Sequence, residues 1–384
     1  MHLKELNVTV VGAGIGGLAT ALALRQAGAR VRVLEQAAEL TEIGAGLQIS
    51  ANGMVVLRAL GVVPQHGGGP GLRSEGTLIR DFRTGRHVST MPPPAAGPTY
   101  YFHRADLIDL LRSAAERAGV SLMLGQQVTA YDARDGQALV ETSDGSVHHA
   151  DLVIAADGGS SLLRETLVGA EVPTFTGQVA WRATISGKQI DMAPRAVLTM
   201  GPGRHIVTYP VRGGTRTNIV AVEERTDWRE EGWRHQGDPN DLRARFSGFG
   251  GEVAEQLAAV ETVHLWALFL HPVARRWQDG QLALVGDAAH PTLPFMAQGA
   301  CLALEDAWVL SQCLARASDT PTGLSEYEAT RKNRTQRVVA AASENARNFH
   351  FKSPMRQLAQ LGLFALGPRV ARRYDWIYDH DVTR

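Results

Sequence analysis

Three short segments, far apart in the 384-residue chain, carry residue types that suit contact with phosphate or ribose. They are Gly12-Ala-Gly14-Ile-Gly16-Gly17, Asp157-Gly-Gly-Ser-Ser161-Leu-Leu-Arg164 and Gly286-Asp287-Ala-Ala-His290-Pro291. In the first, Gly12 permits a tight turn, Gly14 lets backbone approach a pyrophosphate, and Gly17 lets a helix pack on the preceding strand. A helix beginning there adds N–H groups and a partial positive charge. Glu35 ends the next apolar run, where an acid accepts hydrogen bonds from an adenosine ribose. The spacing reads as a dinucleotide site.

The third segment has its own logic. A strand ends at Gly286-Asp287, Pro291 and Pro294 force an extended turn, and a helix opens near Gln298-Gly-Ala-Cys301. Amides at such a helix start stabilise nearby negative charge. Taken alone, the same residues make a plain strand-turn-helix with a capping aspartate. A further set lies in Arg204-His-Ile-Val-Thr-Tyr-Pro210. His205 and Tyr209 stand at positions that share one face of a strand. With Gln298 opposite, they could bind a phenol and take its proton, since histidine titrates near pH 6.5. Arg182 suits either an anion anchor or an ordinary ion pair.

These residues need a frame. Residues 6–11 and 30–34 are β-branched runs suited to buried parallel strands, joined by a helix over 18–26 that Ala27-Gly28 closes. A Gly-bearing loop from Glu42 leads to a helix around 52–60. Breaker clusters at 67–71 and 91–98 bracket a hairpin that turns near Thr84-Gly85. A helix follows within 100–119, then strands near 121–124 and 138–141 and a parallel-type run at 151–156. From about residue 174 to 270, alternating stretches predict an antiparallel sheet with one covered face, interrupted by a helix near 239–246. A strand at 281–285 and long helices at 299–317 and 324–349 complete the chain. The expected fold is α/β. A Rossmann-like dinucleotide domain is assembled from 1–70, 99–173 and 273–330. A mainly antiparallel β-sheet substrate domain (71–98 and 174–272) is inserted, and C-terminal helices span 331–384.

Composition excludes several classes. Lys plus Arg equals Asp plus Glu at 39 each, so no net field points to nucleic acid or an anionic membrane. Arginine clusters at 331–337 and 369–373 read as solvated helix faces. Cys301 and Cys313 give neither metal spacing nor a disulfide framework, which suits a reducing compartment. The chain enters its first strand without a signal segment and has no membrane-length apolar run, so a cytoplasmic location is expected. A homodimer is one assembly the sequence leaves open.

With the three segments in this order, the chain resembles the FAD-dependent aromatic hydroxylases typified by p-hydroxybenzoate hydroxylase. Within them it is most similar to the salicylate and 3-hydroxybenzoate branch. The resemblance runs from Val8 to the terminal Asp375-Trp-Ile-Tyr-Asp-His-Asp381. It implies that Asp287 holds the flavin ribityl chain and that Asp157 and its motif lie near the pyrophosphate and the reductant's route. It also implies that Arg104 contacts the cofactor, and it extends the FAD set to Gly46, Val128, Pro291, Gly299 and Ala300. His205, Tyr209 and Gln298 are similar to the phenol-binding trio of the 3-hydroxybenzoate branch. Residues 293–298 differ from classical salicylate hydroxylases, which argues against decarboxylation. Phe295 replaces a histidine of the 6-hydroxynicotinate branch, and no Trp-x-Trp pair marks a halogenase.

The activity so implied is hydroxylation of a phenolic aromatic acid, 3-hydroxybenzoate- or salicylate-like. Non-covalent FAD is reduced by NADH or NADPH and reacts with O2 to a C4a-hydroperoxide. Only one dinucleotide fold is visible, so the reductant binds transiently. Alternatives remain open: a monooxygenase for heteroaromatic or other non-benzoate substrates, a non-hydroxylating FAD oxidoreductase, a flavin-binding protein, or an NAD-dependent dehydrogenase, which needs only the first segment.

Overall fold

Short β-branched runs separated by helices pair in parallel, because each crossover returns the chain to the same edge. In the computed structural model, which describes residues 3–40, 45–134, 136–186, 194–226, 235–348, 350, 355, 362 and 372–384, two such runs and three further short strands form one parallel sheet. Its order is Leu282–Leu284, Leu152–Ala155, Asn7–Val11, Arg30–Glu35, Ser121–Leu124. The Glu42 end of the Gly-bearing loop, Phe349 and Arg369 lie outside the described residues.

That strand order explains why distant segments meet. Gly12 follows the central strand, Asp157 follows its neighbour, and Gly286-Asp287 follows the next one out. Backbone bonds lock the three ends in register: Ala156 N–H donates to Val11 O at 2.9 Å and Val285 N–H to Ala155 O at 2.9 Å. The helices Ile15–Gln26 and Gly299–Arg316 pack against each other, around a core that includes Val10, Leu18, Leu22, Ile154 and Leu304.

The alternating stretches pair into an eight-stranded sheet in the order His235–Gly237, Val263–Leu270, Thr174–Ser186, Arg216–Glu224, Arg204–Val211, Ala196–Gly201, Thr77–Asp81, His87–Met91. The bracketed hairpin therefore joins it, and Thr77–Asp81 does so in parallel with Ala196–Gly201. Alternation sets the faces. Trp181, Ile206 and Ala221 pack under Leu242 of the helix Pro239–Arg245, Phe246 just after it, and Leu257 of the helix Glu252–Ala258. His205, Tyr209 and Arg182 turn to the opposite face. Two three-stranded sheets complete the fold, one of Gly46–Ile49, Tyr100–His103 and Leu72–Arg73, the other of Val128–Arg134, Gln137–Thr142 and Val147–Ala150. The hairpin partners of Gln137–Thr142 carry too many exposed polar residues to stand out in sequence.

One expectation is corrected here. Arg331 is not on a solvated helix face; it is fully buried, and Arg334 is nearly so. The helix Thr320–Asn348 lies along Gly299–Arg316, whose Glu305 and Asp306 are also buried. Arg331 Nη1 lies 2.6 Å from Glu305 and its Nε donates to Asp306 at 2.7 Å. Arg334 Nη2 donates to Glu305 at 2.7 Å, and His290 Nε2 lies 2.5 Å from Asp306. Burial would raise the Asp306 carboxyl, yet His290 and Arg331 hold it down to about 2. Burial opposes ionisation of Glu305 too, and the two arginines win. Removing one partner of such a cluster strands buried charge. Arg331→Ala should therefore lower the unfolding free energy by about 3–5 kcal/mol in a urea titration, and an unchanged midpoint would refute the cluster's structural weight.

Candidate functional site

The three strand ends form one wall of a cavity of about 2440 Å³, and the uncovered face of the large sheet forms the other. Sites for single small molecules hold roughly 300–1,000 Å³. This one has room for a dinucleotide and an aromatic ligand together.

The cofactor wall begins at the glycine turn. Gly12 has φ +103°, and a Cβ there would stand 2.4 Å from Ala156 O. A Cβ on Gly17 would meet Gly12 O, so the helix start must lie flat on the turn. Gly14 differs: nothing lies within 4 Å of where its Cβ would be. It caps the helix Ile15–Gln26 in extended conformation, facing open cavity, where a pyrophosphate can meet the helix amides. Glu35 sits beside it, accepting from Ala13 N–H at 2.7 Å and Ala37 N–H at 2.8 Å. Those two bonds leave carboxylate lone pairs for a ribose.

Asp287 and Arg104 line the same space. Asp287 stands open to the cavity while protein surrounds it; this burial raises its carboxyl against the pull of His290 and Arg104. Gly299 lies against it, with a Cβ position 3.9 Å from Asp287 Oδ1. Val128, Gly299 and Ala300 also line the cavity, and Pro291 sits beside Gly159. Asp157 is likewise at the wall, but its carboxylate turns toward the start of the helix Leu162–Val168, 3.5 Å from Leu163 N–H. The same motif's Arg164 is a clamp. It donates to Ala288 O and Ala289 O at 3.3 Å and to Pro272 O at 2.6 Å, and pairs with Glu171. The middle segment thus holds the Asp287 turn in place. The open cradle at Gly14, the acid at Glu35 and the Arg104–Asp287 pair fit a dinucleotide such as FAD.

On the sheet wall, His205 and Tyr209 are both buried and both line the cavity. Burial, and then His350, push the His205 ring well below its ordinary value, so it is neutral at neutral pH. His205 Nδ1 lies 2.8 Å from His350 Nε2, and its ring is 5.7 Å from that of Phe295. Tyr209 packs on Tyr101, ring centroids 5.1 Å apart, and burial raises its phenol. Gly46 is pressed against it. A Cβ at Gly46 would fall 2.7 Å from Tyr209 Cε2, and Gly46 N–H donates to Asn218 Oδ1 at 2.7 Å. Arg182 lies over the Trp266 ring, 4.6 Å from its centroid.

Gln298 is placed differently from its expected partners. It reaches the cavity wall, but its amide is bound inward, accepting from Asn52 Nδ2 at 2.9 Å and donating to Ser50 Oγ at 3.0 Å. Asn52 also donates to Glu305 at 2.7 Å, so the turn before Gly299 is tied to the buried arginine cluster. The side chain that this turn shows to His205 is Phe295. His350 was missed in the sequence because it stands in no periodic or motif context that would single it out.

Residues 5–342 match the FAD binding domain family. The chain is 34% identical to a 3-amino-4-hydroxybenzoate 2-monooxygenase of Streptomyces cremeus, over 90% of this chain and 88% of that one. It is 32% identical to a 3-hydroxybenzoate 6-hydroxylase of Polaromonas naphthalenivorans, over 98% and 97%. A salicylate hydroxylase solved as a substrate complex superposes with a TM-score of 0.83 at 27% identity, covering 98% of this chain and 96% of that one. These likenesses span all three segments, and the dehydrogenase alternative, which needs only the first, falls.

Two kinds of glycine variant separate binding from folding. Gly14→Val points into open space, so it should leave thermal unfolding of the apoprotein in place while weakening FAD by at least about tenfold, or ~1.4 kcal/mol. Gly17→Ala drives a methyl into Gly12 O and should destabilise the fold itself. Asp287→Ala should cost about 1.5–3 kcal/mol of FAD affinity. Flavin fluorescence titration reads the affinities of Gly14→Val and Asp287→Ala, thermal unfolding of the apoprotein reads Gly17→Ala, and unchanged FAD affinity in both Gly14→Val and Asp287→Ala would place the cofactor elsewhere.

Proposed function

The chain belongs to the FAD binding domain family as an FAD-dependent monooxygenase, and from that premise we propose that it hydroxylates a phenolic aromatic acid, 3-hydroxybenzoate- or salicylate-like. One observation carries the reading. A neutral histidine and a tyrosine share one buried face, across a continuous cavity from the dinucleotide cradle. The benzoate names of the relatives support the same ligand class.

When bound, FAD reduced by NADH or NADPH would activate O2 and supply an electrophilic oxygen. The chain's own residues then have five tasks. His205 faces the substrate hydroxyl and takes its proton, since a phenolate ring is far more electron-rich than a phenol. Tyr209 gives a polar contact that fixes the ring's orientation. Arg182 is placed to meet a carboxylate at the same wall. Leu293, Phe295, Trp266 and Val222 form an apolar lining that keeps water from the reacting atoms. Gln298 acts indirectly, holding the turn and the amides of Gly299 and Ala300 against the cofactor space through Ser50 and Asn52. The reductant visits the cavity and leaves, so substrate binding is expected to gate its entry.

Three measurements test this. Anaerobic flavin reduction by NAD(P)H should accelerate strongly when the right phenolic acid is added, with a hydroxylated product under air. A rate indifferent to every acid in the panel would favour a reductase. His205→Ala should keep FAD and divert reducing equivalents to H2O2, with turnover to product falling on the order of 10²-fold or more. Tightly coupled turnover at the wild-type rate in that variant would remove His205 from the reaction. Tyr209→Phe should chiefly raise the dissociation constant, by a contact worth about 0.5–1.5 kcal/mol.

A further inference from the structure

A buried base has a problem once it has done its work. His205 is surrounded by Val222, Phe295 and neighbouring apolar side chains, an environment that penalises the imidazolium form. It is poorly suited to store the proton it takes. The structure offers a way out. His205 Nδ1 meets His350 Nε2 at 2.8 Å, and His350 is itself buried. The other ring nitrogen, His350 Nδ1, lies 3.6 Å from Glu224 Oε1, a carboxylate at the protein surface with 41% of its side chain exposed. The same nitrogen lies 3.1 Å from Gln178 Nε2, which also donates to Ala346 O.

We propose that His205, His350 and Glu224 form a proton relay from the cavity to solvent, with His350 and Glu224 acting through His205 as positioning residues that touch no substrate. The inference rests on the reading of His205 as the group that faces the phenol. Its bookkeeping closes. Before transfer, both rings carry hydrogen on Nδ1: His205 donates to His350, and the His350 Nδ1–H faces Glu224 across 3.6 Å, longer than a direct hydrogen bond, so that a bridging water carries that contact. The substrate O–H proton enters at His205 Nε2, the Nδ1 hydrogen of His205 crosses to His350 Nε2, and the Nδ1 hydrogen of His350 leaves through Glu224 to water. Afterwards both rings are neutral again and carry hydrogen on Nε2. His205 now donates to the phenolate it created, and His350 Nδ1 has become an acceptor for the Gln178 amide. Gln178 stabilises the second tautomer and Glu224 the first, so the pair has a partner for each state. No full positive charge need rest in the apolar lining.

Glu224 is a charged group beside the pair, and Arg182 stands on the same face of the sheet. The surrounding elements contribute Gln178 from Thr174–Ser186, Val222 from Arg216–Glu224, Phe295 from the turn and Ala346 from Thr320–Asn348. Arg204 and Glu223 point to the opposite face, where Glu223 binds Trp181 Nε1 and lies near Arg245.

The test uses the FAD-loaded full chain with 3-hydroxybenzoate as probe. Ultraviolet difference spectra give the ionisation of the bound phenol against pH, and a coloured indicator gives proton release on mixing. In parallel, nitrogen-15 NMR of labelled histidines reads which ring nitrogens carry hydrogen. Glu224→Gln is at the surface and should fold; because it removes the group that favours the tautomers present before transfer, it should lower the apparent pKa of the bound phenol by about one unit, equivalent to ~1.4 kcal/mol, and slow proton release. His350→Gln, which keeps a polar group but breaks the path between His205 and Glu224, should slow proton release more strongly. In the free protein, Glu224→Gln should shift both histidines together toward the Nε2–H tautomer. Two failures are distinct. If His205→Ala leaves the bound phenol ionising as in the wild type, the reading of His205 itself is wrong and the relay falls with it. If His205→Ala abolishes ionisation while Glu224→Gln and His350→Gln keep the wild-type profile and release rate, His205 stands and the relay is refuted. The NMR arm decides even if the probe fails to bind, because tautomers of His205 and His350 that respond independently would overturn the coupling.

Discussion

Everything in this protein hangs on parallel pairing between the strand Asn7–Val11 and its neighbours. Parallel strands end at the same edge, so the loops that follow them emerge side by side. The glycine turn, Asp157 and Asp287 owe their proximity to that rule and not to their sequence separation. Arg164 then fixes one loop to another by binding the carbonyls of Ala288 and Ala289. A site assembled in this way is as rigid as the sheet edge beneath it.

Two specific contacts bear on how the substrate wall meets the cofactor wall. At Gly46, the absence of a side chain lets the strand Gly46–Ile49 touch Tyr209 and Asn218. At Gln298, a chain of amide and hydroxyl contacts runs through Asn52 to Glu305 and on to Arg331 and Arg334. The first contact couples Tyr209 to the loop that borders the cofactor space. The second anchors the turn that carries Phe295. Shifts of either element are therefore felt on both sides of the cavity.

Much of this was legible in the sequence, for identifiable reasons. Glycine spacing and β-branched runs report local backbone demands, so the parallel strands and the fingerprint helix could be read directly. Alternation reports which face is covered, and it put His205 and Tyr209 together. What could not be read depends on partners brought in by tertiary packing. Arg331 looks like any charge on a polar helix until Glu305 and Asp306 of another helix are set against it. The clue was there, in two acids embedded in Leu302-Ala-Leu-Glu305-Asp306-Ala-Trp308, where a core-facing helix should carry none unpaired. The inward turn of Gln298 depends on Asn52, 246 residues away, and no local pattern reports it.

The eight-stranded sheet holds itself together through main-chain ladders, whereas its cavity-facing side chains, among them Leu198, Met200, Val207 and Val220, contribute shape. Exchanging those side chains alters the outline of the pocket while the ladder persists. The scaffold is thus evolvable on one wall and conservative on the other. New ring sizes or substituents can be accommodated by aliphatic substitutions along two or three strands, with the cofactor-holding edge left unedited. Directed libraries aimed at selectivity belong on that face.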